Sequence, residues 1–399
     1  MDKKPRNPRR HIHLIKFVVW FVITFFGKKV LRNANAEVEA YTPKHDTFIL
    51  IGNHSDVLDP AYQMISTKRY IKFVAADFLA RQGFIYHFIL ETLNTVIIKE
   101  RDKPSSVLID NIMRTLKAGI PVGLHAEGII TSNGETGFIS DNTGKLVKDS
   151  GVALITFRAV GGYFRRPRWT SHLRKGPVHC RVVREYSPEE LANYSVEEIN
   201  EIIRRDIYVN AFEEQRMHQN KYTGEKLAEY VERSVYMCPK CHKIGTLHSH
   251  DDVLECECGY YLTYGEDGFF HSDKNEVIYD NVLDWDKWQR NEWKKMLLDS
   301  TDDIIFTEDK QKVYTVVNNE QTLICDNGIL KICKDRYEIE MEGETVKLPY
   351  TSLRRVQNAS FQEFMLVTDD VYYMLDRQVP RSSFKLTEAW YILTGREYK

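Results

Sequence analysis

A histidine and an aspartate that could share one proton-transfer task stand close together near the start of the chain. The stretch NHSDVLDP places His54 five residues before Asp59, directly after the apolar run FILIG. An imidazole can take a proton from a hydroxyl, while a carboxylate beside it holds one tautomer and stabilises the imidazolium. The spacing alone is a weak signal, and Asp59 also has a structural reading, as the N-cap of a helix that begins at Pro60, which does not exclude a second role.

The elements around this pair predict an α/β domain. Residues 40–184 alternate strand-like runs, such as FILIG, NTVIIK and ALITF, with helical ones. This alternation predicts a mixed, largely parallel sheet flanked by helices. Ligands of such folds bind at the carboxyl ends of the strands. His54 and Asp59 are therefore expected in one loop at that end, as a general base and its orienting carboxylate.

Four of the seven cysteines lie in the single stretch CPKCHKIGTLHSHDDVLECECG. Two close pairs separated by about a hairpin are typical of a zinc ribbon, in which four thiolates form a closed structural site. The predicted zinc ligands are Cys238, Cys241, Cys256 and Cys258. Because the second pair has the irregular spacing Cys-x-Cys, one ligand could instead be a histidine: His242, His248 or His250. The odd cysteine count argues against a disulfide framework and favours a reducing compartment.

The N-terminal segment combines positive charge with a short apolar run. Residues 1–35 contain nine Lys or Arg and one acid, and residues 150–184 contain eight Lys or Arg and no acid. Both stretches favour an anionic partner. The run LIKFVVWFVITFF is shorter than the ~20 residues that span a bilayer, and no cleavage site follows it. We expect residues 1–35 to lie in a membrane interface; a buried core helix is the alternative.

The C-terminal part reads as a helix followed by many strands. NVLDWDKWQRNEWKKMLLD predicts a helix with Trp285, Trp288 and Met296 along one stripe. From residue 303 onward, strand follows strand, and Asp326–Gly328 is a strong hairpin-turn signal. About seven strands and a terminal helix resemble a pleckstrin-homology-like barrel, an analogy of architecture that implies no function.

Residues 10–215 resemble the glycerolipid acyltransferases, in particular the lysophosphatidic acid acyltransferase type. The family's first block, Asn-His-x4-Asp, is found as Asn53, His54 and Asp59. The second block, a strand that ends in a basic residue, resembles NTVIIK with Lys99. The third, typically Phe-Pro-Glu-Gly-Thr-Arg-Ser, resembles HAEGIITSNGET, and the fourth resembles GVALITF. The sequence after residue 142 is similar to a subgroup that carries a zinc ribbon.

The third block departs from the family where the substrate would bind. It has Ala126 and Ile130 in place of the usual proline and arginine. In the family, this arginine and the basic residue of the second block are thought to hold the acceptor's phosphate. Ile130 cannot donate a hydrogen bond. Backbone N–H groups near Gly128 are expected to face the oxyanion. The resemblance implies these substrate-binding residues: Asn53, Lys99, Glu127, Gly128, Lys145, Arg165, Arg166 and Arg168.

Together, these patterns predict five parts. They are an interfacial segment (1–35), an acyltransferase domain (36–215), a linker helix with the zinc ribbon (216–265), a Trp-rich linker helix (266–302) and a β-rich domain with a terminal helix (303–399).

The resemblance implies transfer of a fatty acyl chain from a thioester, acyl-CoA or acyl carrier protein, to the hydroxyl of a lysophospholipid such as 1-acyl-glycerol-3-phosphate. The enzyme would act at the cytoplasmic face of an anionic cell membrane, as a peripheral or monotopic protein with structural zinc and no nucleic-acid partner. Two alternatives stay open. One is an inactive relative that senses lipid. The other is a zinc-ribbon protein that binds nucleic acid or protein.

Overall fold

The computed structural model describes residues 12–76, 95–99, 105–317, 320–359 and 362–396. The chain forms two compact units, Met1–Arg166 with Arg174–Thr223 and Pro167–Leu173 with Gly224–Lys399. The predicted division into five parts stays a prediction. The ranges predicted for the ribbon, the Trp-rich helix and the β-rich domain fall in the second unit, apart from residues 216–223.

A seven-stranded sheet forms the centre of the first unit. Its strands are β1 (Ala36–Val38), β2 (Phe48–Gly52), β3 (Lys72–Ala76), β4 (Ile97–Lys99), β5 (Val122–His125), β6 (Ala153–Val160) and β7 (Val178–Tyr186). The order is β1-β7-β6-β2-β5-β3-β4, and all neighbours run parallel except β6 and β7. The mixed, largely parallel sheet that we predicted is thereby confirmed.

Eight helices are described in this unit: α1 (Ile12–Ala34), α2 (Asp59–Thr67), α3 (Ser105–Lys117), α4 (Asn142–Ser150), α5 (Gly162–Arg165), α6 (Pro188–Ala192), α7 (Val196–Ile207) and α8 (Ala211–His218). Local capping explains where several begin. Ser195, for example, accepts the N–H of Glu198, whose carboxylate accepts the N–H of Ser195, so α7 starts with a capping box.

Strand β2 lies between β5 and β6, and every one of its residues is buried. Ile49 and Ile51 pack into the core on one face of the sheet, whereas Phe48 and Leu50 pack into the core on the other. A parallel strand covered on both faces needs apolar side chains throughout, which explains why FILIG shows no alternation. The strand therefore holds the loop that follows Gly52 in a fixed position.

The second unit contains two antiparallel sheets and two long helices. The small sheet has β8 (Leu247–His250), β9 (Val253–Cys256), β10 (Tyr261–Tyr264) and β11 (Phe270–His271). The large sheet has β12 (Ile304–Val317), β13 (Glu320–Cys333), β14 (Arg336–Met341), β15 (Glu344–Pro349), β16 (Arg355–Ala359), β17 (Glu363–Val367) and β18 (Tyr372–Arg377). The helices are α9 (Val282–Asp299) and α10 (Phe384–Leu393), and short 3-10 turns span Val231–Arg233 and Tyr350–Ser352.

The large sheet has the order β15-β14-β13-β12-β18-β17-β16. Seven strands and a terminal helix agree with the sequence, while closure into a pleckstrin-homology-like barrel stays a prediction. On α9, Trp293 is fully buried in the core of this sheet, and Trp288 and Met296 pack at the margin of that core. The linker helix that we expected in residues 216–265 is wrong, because only the end of α8 and the turn Val231–Arg233 are helical there.

The hairpin turn predicted at Asp326–Gly328 is also wrong, because these residues lie inside β13. Gly328 pairs with Gln311 of β12, where the register of the two strands shifts. A Cβ atom on Gly328 would lie 2.9 Å from Val313 and 3.2 Å from the Glu340 carbonyl. The glycine therefore permits close approach of neighbouring strands rather than a turn. Strands β12 and β13 are joined by residues 318–319, which lie outside the described residues.

A buried ionic cluster lies in the second unit. The Glu308 carboxylate accepts hydrogen bonds from Arg377 at 2.9 Å and from Lys385 at 2.7 Å. At most 2% of each of these side chains is exposed. Burial alone would raise the pKa of Glu308, but the two cations outweigh it and lower that pKa to about 2. Glu308 is therefore ionised over the working pH range and compensates two buried positive charges.

Candidate functional site

The loop after β2 brings His54 and Asp59 together. Nδ1 of His54 lies 3.0 Å from Oδ2 of Asp59. The same oxygen accepts the N–H groups of Ser55 at 2.8 Å and Asp56 at 2.9 Å. The Asp59 side chain is fully buried, whereas 19% of the His54 side chain is exposed. The arrangement leaves Nε2 of His54 as the ring nitrogen that is not turned toward Asp59.

Asp59 is not an N-cap, so that part of the sequence interpretation is wrong. It is the first residue of α2, the N-cap position is Leu58, and no side chain caps the helix there. The carboxylate instead folds back over the preceding loop. Burial raises the pKa of Asp59 to about 6, although the N–H donors of the loop favour the ionised form.

Glu127 fixes the loop of residues 53–59 from the other side. Its two oxygens accept the N–H of His54 at 2.7 Å and the N–H of Gly137 at 2.6 Å. The N–H of Thr131 donates to the His54 carbonyl at 2.9 Å. Burial raises the pKa of Glu127 to about 7. Glu127 thus clamps the backbone of His54 to the 126–138 loop, a role that the sequence motif did not reveal.

Asn53 and Gly128, which also belong to the blocks named above, make hydrogen bonds within the protein. The Asn53 side chain donates to the Ala159 carbonyl and accepts the Ala159 N–H, both at 2.8 Å, which fastens the loop to β6. Gly128 has a φ of +76°, in the left-handed region. Its N–H donates to the His125 carbonyl at 2.9 Å, so this amide is not turned to an oxyanion.

The predicted basic residues do not converge on His54. Arg165 is buried in an ion pair with Asp56, which belongs to the 53–59 loop itself. Lys145 pairs with Asp149 at 2.9 Å on the exposed surface of α4. Lys99 ends the edge strand β4, three strands from β2, or roughly 14 Å at the usual strand spacing.

The last two predicted arginines follow β6. Arg166 is the C-cap residue of α5, the short helix that follows β6, and β6 is the strand next to β2. Arg168 belongs to the second unit, where its guanidinium lies 5.4 Å from the centre of the Phe384 ring. Four of the predicted basic residues lie in the first unit. Of these, Arg165 and Lys145 form ion pairs, and Arg166 follows β6, which is a neighbour of β2 in the sheet.

A second histidine, His125, which begins the stretch HAEGIITSNGET, lies against the candidate base. The His125 ring is stacked on the His54 ring, with centroids 4.1 Å apart and planes inclined by 15°. His54, Asp59 and His125 offer three ligand atoms within 4.8 Å. The lone pairs of nearly parallel rings lie in parallel planes and do not converge on one ion. This geometry favours proton transfer over metal binding.

Apolar side chains border the polar network. Val57, Ile129 and Phe138 are about half exposed, at 51%, 46% and 48%. Val57 lies in the 53–59 loop, and the other two adjoin Gly128 and Gly137. The neighbouring cavity, lined by His54, Glu127 and the 131–136 loop, has a volume of about 10 Å³, close to what one water molecule occupies.

Residues 33–160 match the family model described as Acyltransferase. The 1-acyl-sn-glycerophosphate acyltransferase PlsC from Thermotoga maritima is a similar solved structure. It is 18% identical, the match covers 50% of this chain and 82% of that chain, and the TM-score is 0.40. The Vps36 N-terminal PH domain is similar at 15% identity, over 23% of this chain and 79% of that chain, with a TM-score of 0.20. No curated protein matches the chain.

The four clustered cysteines of the second unit converge. The Sγ atoms of Cys238 and Cys258 lie 3.8 Å apart, as do those of Cys241 and Cys256. All four lie within 4.8 Å of one another. Tetrahedral zinc with Zn–S bonds of about 2.3 Å requires sulfur atoms ~3.8 Å apart. These distances are far longer than a disulfide bond of about 2.05 Å, and the cysteines are free thiols.

The alternative histidine ligands point elsewhere. The His242 ring packs edge-on against Trp288. His248 lies 3.5 Å from the Glu257 carboxylate, and His250 lies 3.7 Å from that of Asp251. The donor set that fits a zinc ion is therefore the four thiolates.

Proposed function

We propose that the first unit transfers a fatty acyl chain from an acyl thioester to the free hydroxyl of a lysophospholipid. The observation that carries the proposal is the His54–Asp59 pair, held at the end of β2 inside the segment that matches the acyltransferase family. The donor would be acyl-CoA or an acyl carrier protein. The acceptor would be a lysophospholipid of the 1-acyl-glycerol-3-phosphate kind.

The reaction follows from the two side chains. Nε2 of His54 takes the proton of the acceptor hydroxyl as its oxygen attacks the thioester carbonyl. Asp59 keeps the proton on Nδ1 and balances the imidazolium charge, and general-base assistance of this kind contributes ~10²–10⁴-fold. The tetrahedral intermediate then breaks its C–S bond, and the departing thiolate takes the proton from the imidazolium. One ester forms, one thioester breaks, and the enzyme returns to its starting state.

The acceptor's phosphate would be bound by Arg166 or Lys99. Lys99 ends β4, and Arg166 follows β6 after the short helix α5; the carboxyl ends of both strands are on the same edge of the sheet as His54. Arg165 and Lys145 are assigned to the ion pairs described above. Replacing Arg166 by methionine is expected to raise the KM for a phosphate-bearing acceptor more than for a neutral lysolipid.

We also propose that α1 docks on an anionic membrane, at its cytoplasmic face because free thiols fit a reducing compartment. Seven of its large apolar side chains are exposed: Leu14, Phe17, Val18, Trp20, Phe21, Phe25 and Phe26. Ile12 and Ile15, in contrast, are buried against the unit. Lys16, Lys28, Lys29 and Arg32 are exposed on the same helix and would each contribute ~1 kcal/mol near an anionic surface. Among the described residues, no helix is long and apolar enough to cross a membrane.

Docking is tested with vesicles that contain anionic lipid. Replacing Phe17, Trp20 and Phe25 together by serine should release the full chain from the vesicles. This variant is preferable to deletion of residues 1–35, which would also remove the buried Ile12 and Ile15. Residues 1–11 lie outside the described residues. Co-sedimentation equal to that of the unaltered protein would refute the docking proposal.

We propose one structural zinc ion in the second unit, held by Cys238, Cys241, Cys256 and Cys258. The sulfur distances and the turns at both cysteine pairs support it. The N–H of Cys238 donates to the Lys243 carbonyl, and the N–H of Cys256 to the Tyr260 carbonyl. When bound, zinc would cross-link these two turns and stabilise the small sheet.

The experiment that tests the enzymatic proposal uses the purified full chain and a panel of lysolipids. Each is mixed with an acyl-CoA or with an acylated carrier protein, and the products are read by mass. Addition of one acyl mass to at least one lysolipid is the expected result. No acylation with either donor, on any lysolipid, would overturn the proposal and favour an inactive lipid-sensing relative.

A further inference from the structure

Three rings from different elements form one stack behind the 53–59 loop. His125, at the end of β5, lies between His54 and Phe73 of β3. Its centroid is 4.1 Å from that of His54 and 5.8 Å from that of Phe73, with planes inclined by 15° and 13°. One face of the His54 ring is therefore covered by the His125 imidazole, which is in turn stacked on Phe73.

The surrounding residues leave space for this stack. A Cβ atom on Gly123 would lie 2.2 Å from the Phe73 ring, so only glycine lets Phe73 reach His125. The Gln63 amide nitrogen, from α2, lies 3.2 Å from Nε2 of His125, and this contact limits rotation of the His125 ring. A Cβ atom on Gly52 would lie 2.5 Å from the same amide. Two glycines and one glutamine thus hold His125 in a single orientation.

His125 also has the charge state that a supporting ring needs. Burial and the neighbouring His54 lower its pKa to about 3, so it is neutral at working pH. A charged ring at 4.1 Å would oppose the positive charge that His54 acquires during the reaction. A neutral ring supplies contact area without that repulsion, and it is too weakly basic to replace His54 as the base.

We propose that His125 is a positioning residue: its ring face holds the His54 imidazole in the plane that aims Nε2 at the acceptor hydroxyl. Asp59 fixes one edge of the His54 ring, but a hydrogen bond at one nitrogen leaves rotation about the Nδ1–Oδ2 direction. Stacking on His125 removes this rotation. The proposal rests on the proposed acyl transfer by His54.

The test compares His125→Phe with His125→Leu in the full chain. Both variants lose the contact with Gln63 and keep an apolar side chain of useful size, but only phenylalanine keeps a flat ring. We expect His125→Phe to retain kcat within about threefold. His125→Leu should lose ~10–10²-fold in kcat with little change in KM, because misplacement of a base by about 1 Å has this effect. Equal kcat values for the two variants would overturn the proposal.

A second measurement does not depend on activity. The ring protons of His54 should be shifted upfield in the NMR spectrum by a stacked neighbour, in wild type and in His125→Phe but not in His125→Leu. If no lysolipid is acylated by wild type, the proposed function fails, and this comparison still decides whether His125 orients His54. The same His54 shift in all three proteins would refute the stacking role.

Discussion

Nδ1 of His54 lies 3.0 Å from Oδ2 of Asp59, and the same carboxylate oxygen accepts two backbone N–H groups of the intervening loop. One buried oxygen therefore shapes the loop and orients the ring. Asp59 should matter to both stability and catalysis, and the two effects can be separated.

Asp59→Asn should lose most activity but little stability. The asparagine oxygen can still accept the loop N–H groups, whereas its amide cannot balance an imidazolium, and we expect kcat to fall by about 10³–10⁴-fold. Asp59→Ala leaves buried N–H groups without an acceptor, at a cost of about 1–3 kcal/mol for each group. Steady-state kinetics and chemical unfolding of both variants test this, with Asp149→Asn on the exposed surface as control. An active Asp59→Asn enzyme would contradict the assignment.

Glu127 should make the first unit less stable as pH rises. Its pKa is about 7 in the folded protein, above the value near 4.3 of an unfolded chain. A raised carboxyl pKa means that the folded state binds the proton more tightly than the unfolded state does. Protonated Glu127 therefore stabilises the fold fully below pH ~4.3, and this stabilisation is lost as the pH rises to 7. Wild type should therefore lose stability relative to Glu127→Gln between pH 5 and 8.

This difference can be followed by hydrogen exchange of the β2 amides, corrected for intrinsic exchange rates. The exposed Glu197→Gln variant is the control, and it should follow wild type at every pH. A difference between wild type and Glu127→Gln that grows in favour of wild type as pH rises would contradict the raised pKa.

Cys256→Ser should abolish zinc binding. Freshly prepared wild type should contain one zinc per chain by elemental analysis, and the variant should lose it on dialysis together with the thermal stability of the second unit. Cys325→Ser, in β13 and away from the four clustered cysteines, should keep the metal. Wild type without zinc, or a Cys256→Ser variant that keeps a full equivalent, would refute the zinc proposal.

Glu308→Gln should strongly destabilise the second unit, because Arg377 and Lys385 would be left as uncompensated buried charges. Removal of one partner from a buried ionic cluster costs about 3–5 kcal/mol. Burial lowers the pKa of Lys385 to about 8 even with Glu308 beside it, and removal of Glu308 lowers this pKa further, so the loss should be smaller at pH 9, where this lysine is neutral. Urea unfolding at pH 7 and 9 measures both effects. The exposed Glu342→Gln is the control, and a variant as stable as wild type at pH 7 would contradict the prediction.

The sequence was informative where a signal is local. The His54 and Asp59 motif, the buried strand before it and the cysteine pairs are each contained in a few consecutive residues, and the structure brings each set together. Glu127 was identified as important, but its function as a clamp was not, since its partner Gly137 lies in a loop without regular pattern. Asp56 and Arg165 are 109 residues apart, and no local pattern links them.

Two errors have a common physical origin. Asp59 before proline resembles a cap, and Asp326–Gly328 resembles a turn, because both rules describe isolated segments. In the folded chain, tertiary contacts outweigh them. The Asp59 carboxylate is drawn back to His54, and the close packing of β12, β13 and β14 needs Gly328 inside a strand. The stack on His125 was missed for the same reason, because it depends on rings from three separate strands and loops.

The central claim is that His54 is the base that activates the acceptor hydroxyl. The most direct measurement compares the acylation rate of wild type with that of His54→Ala, on a lysolipid that wild type acylates, with the exposed His218→Ala as control. We predict a loss of at least about 10²-fold for His54→Ala, an unchanged rate for His218→Ala, and similar melting temperatures for all three. Equal rates for wild type and His54→Ala would contradict the account.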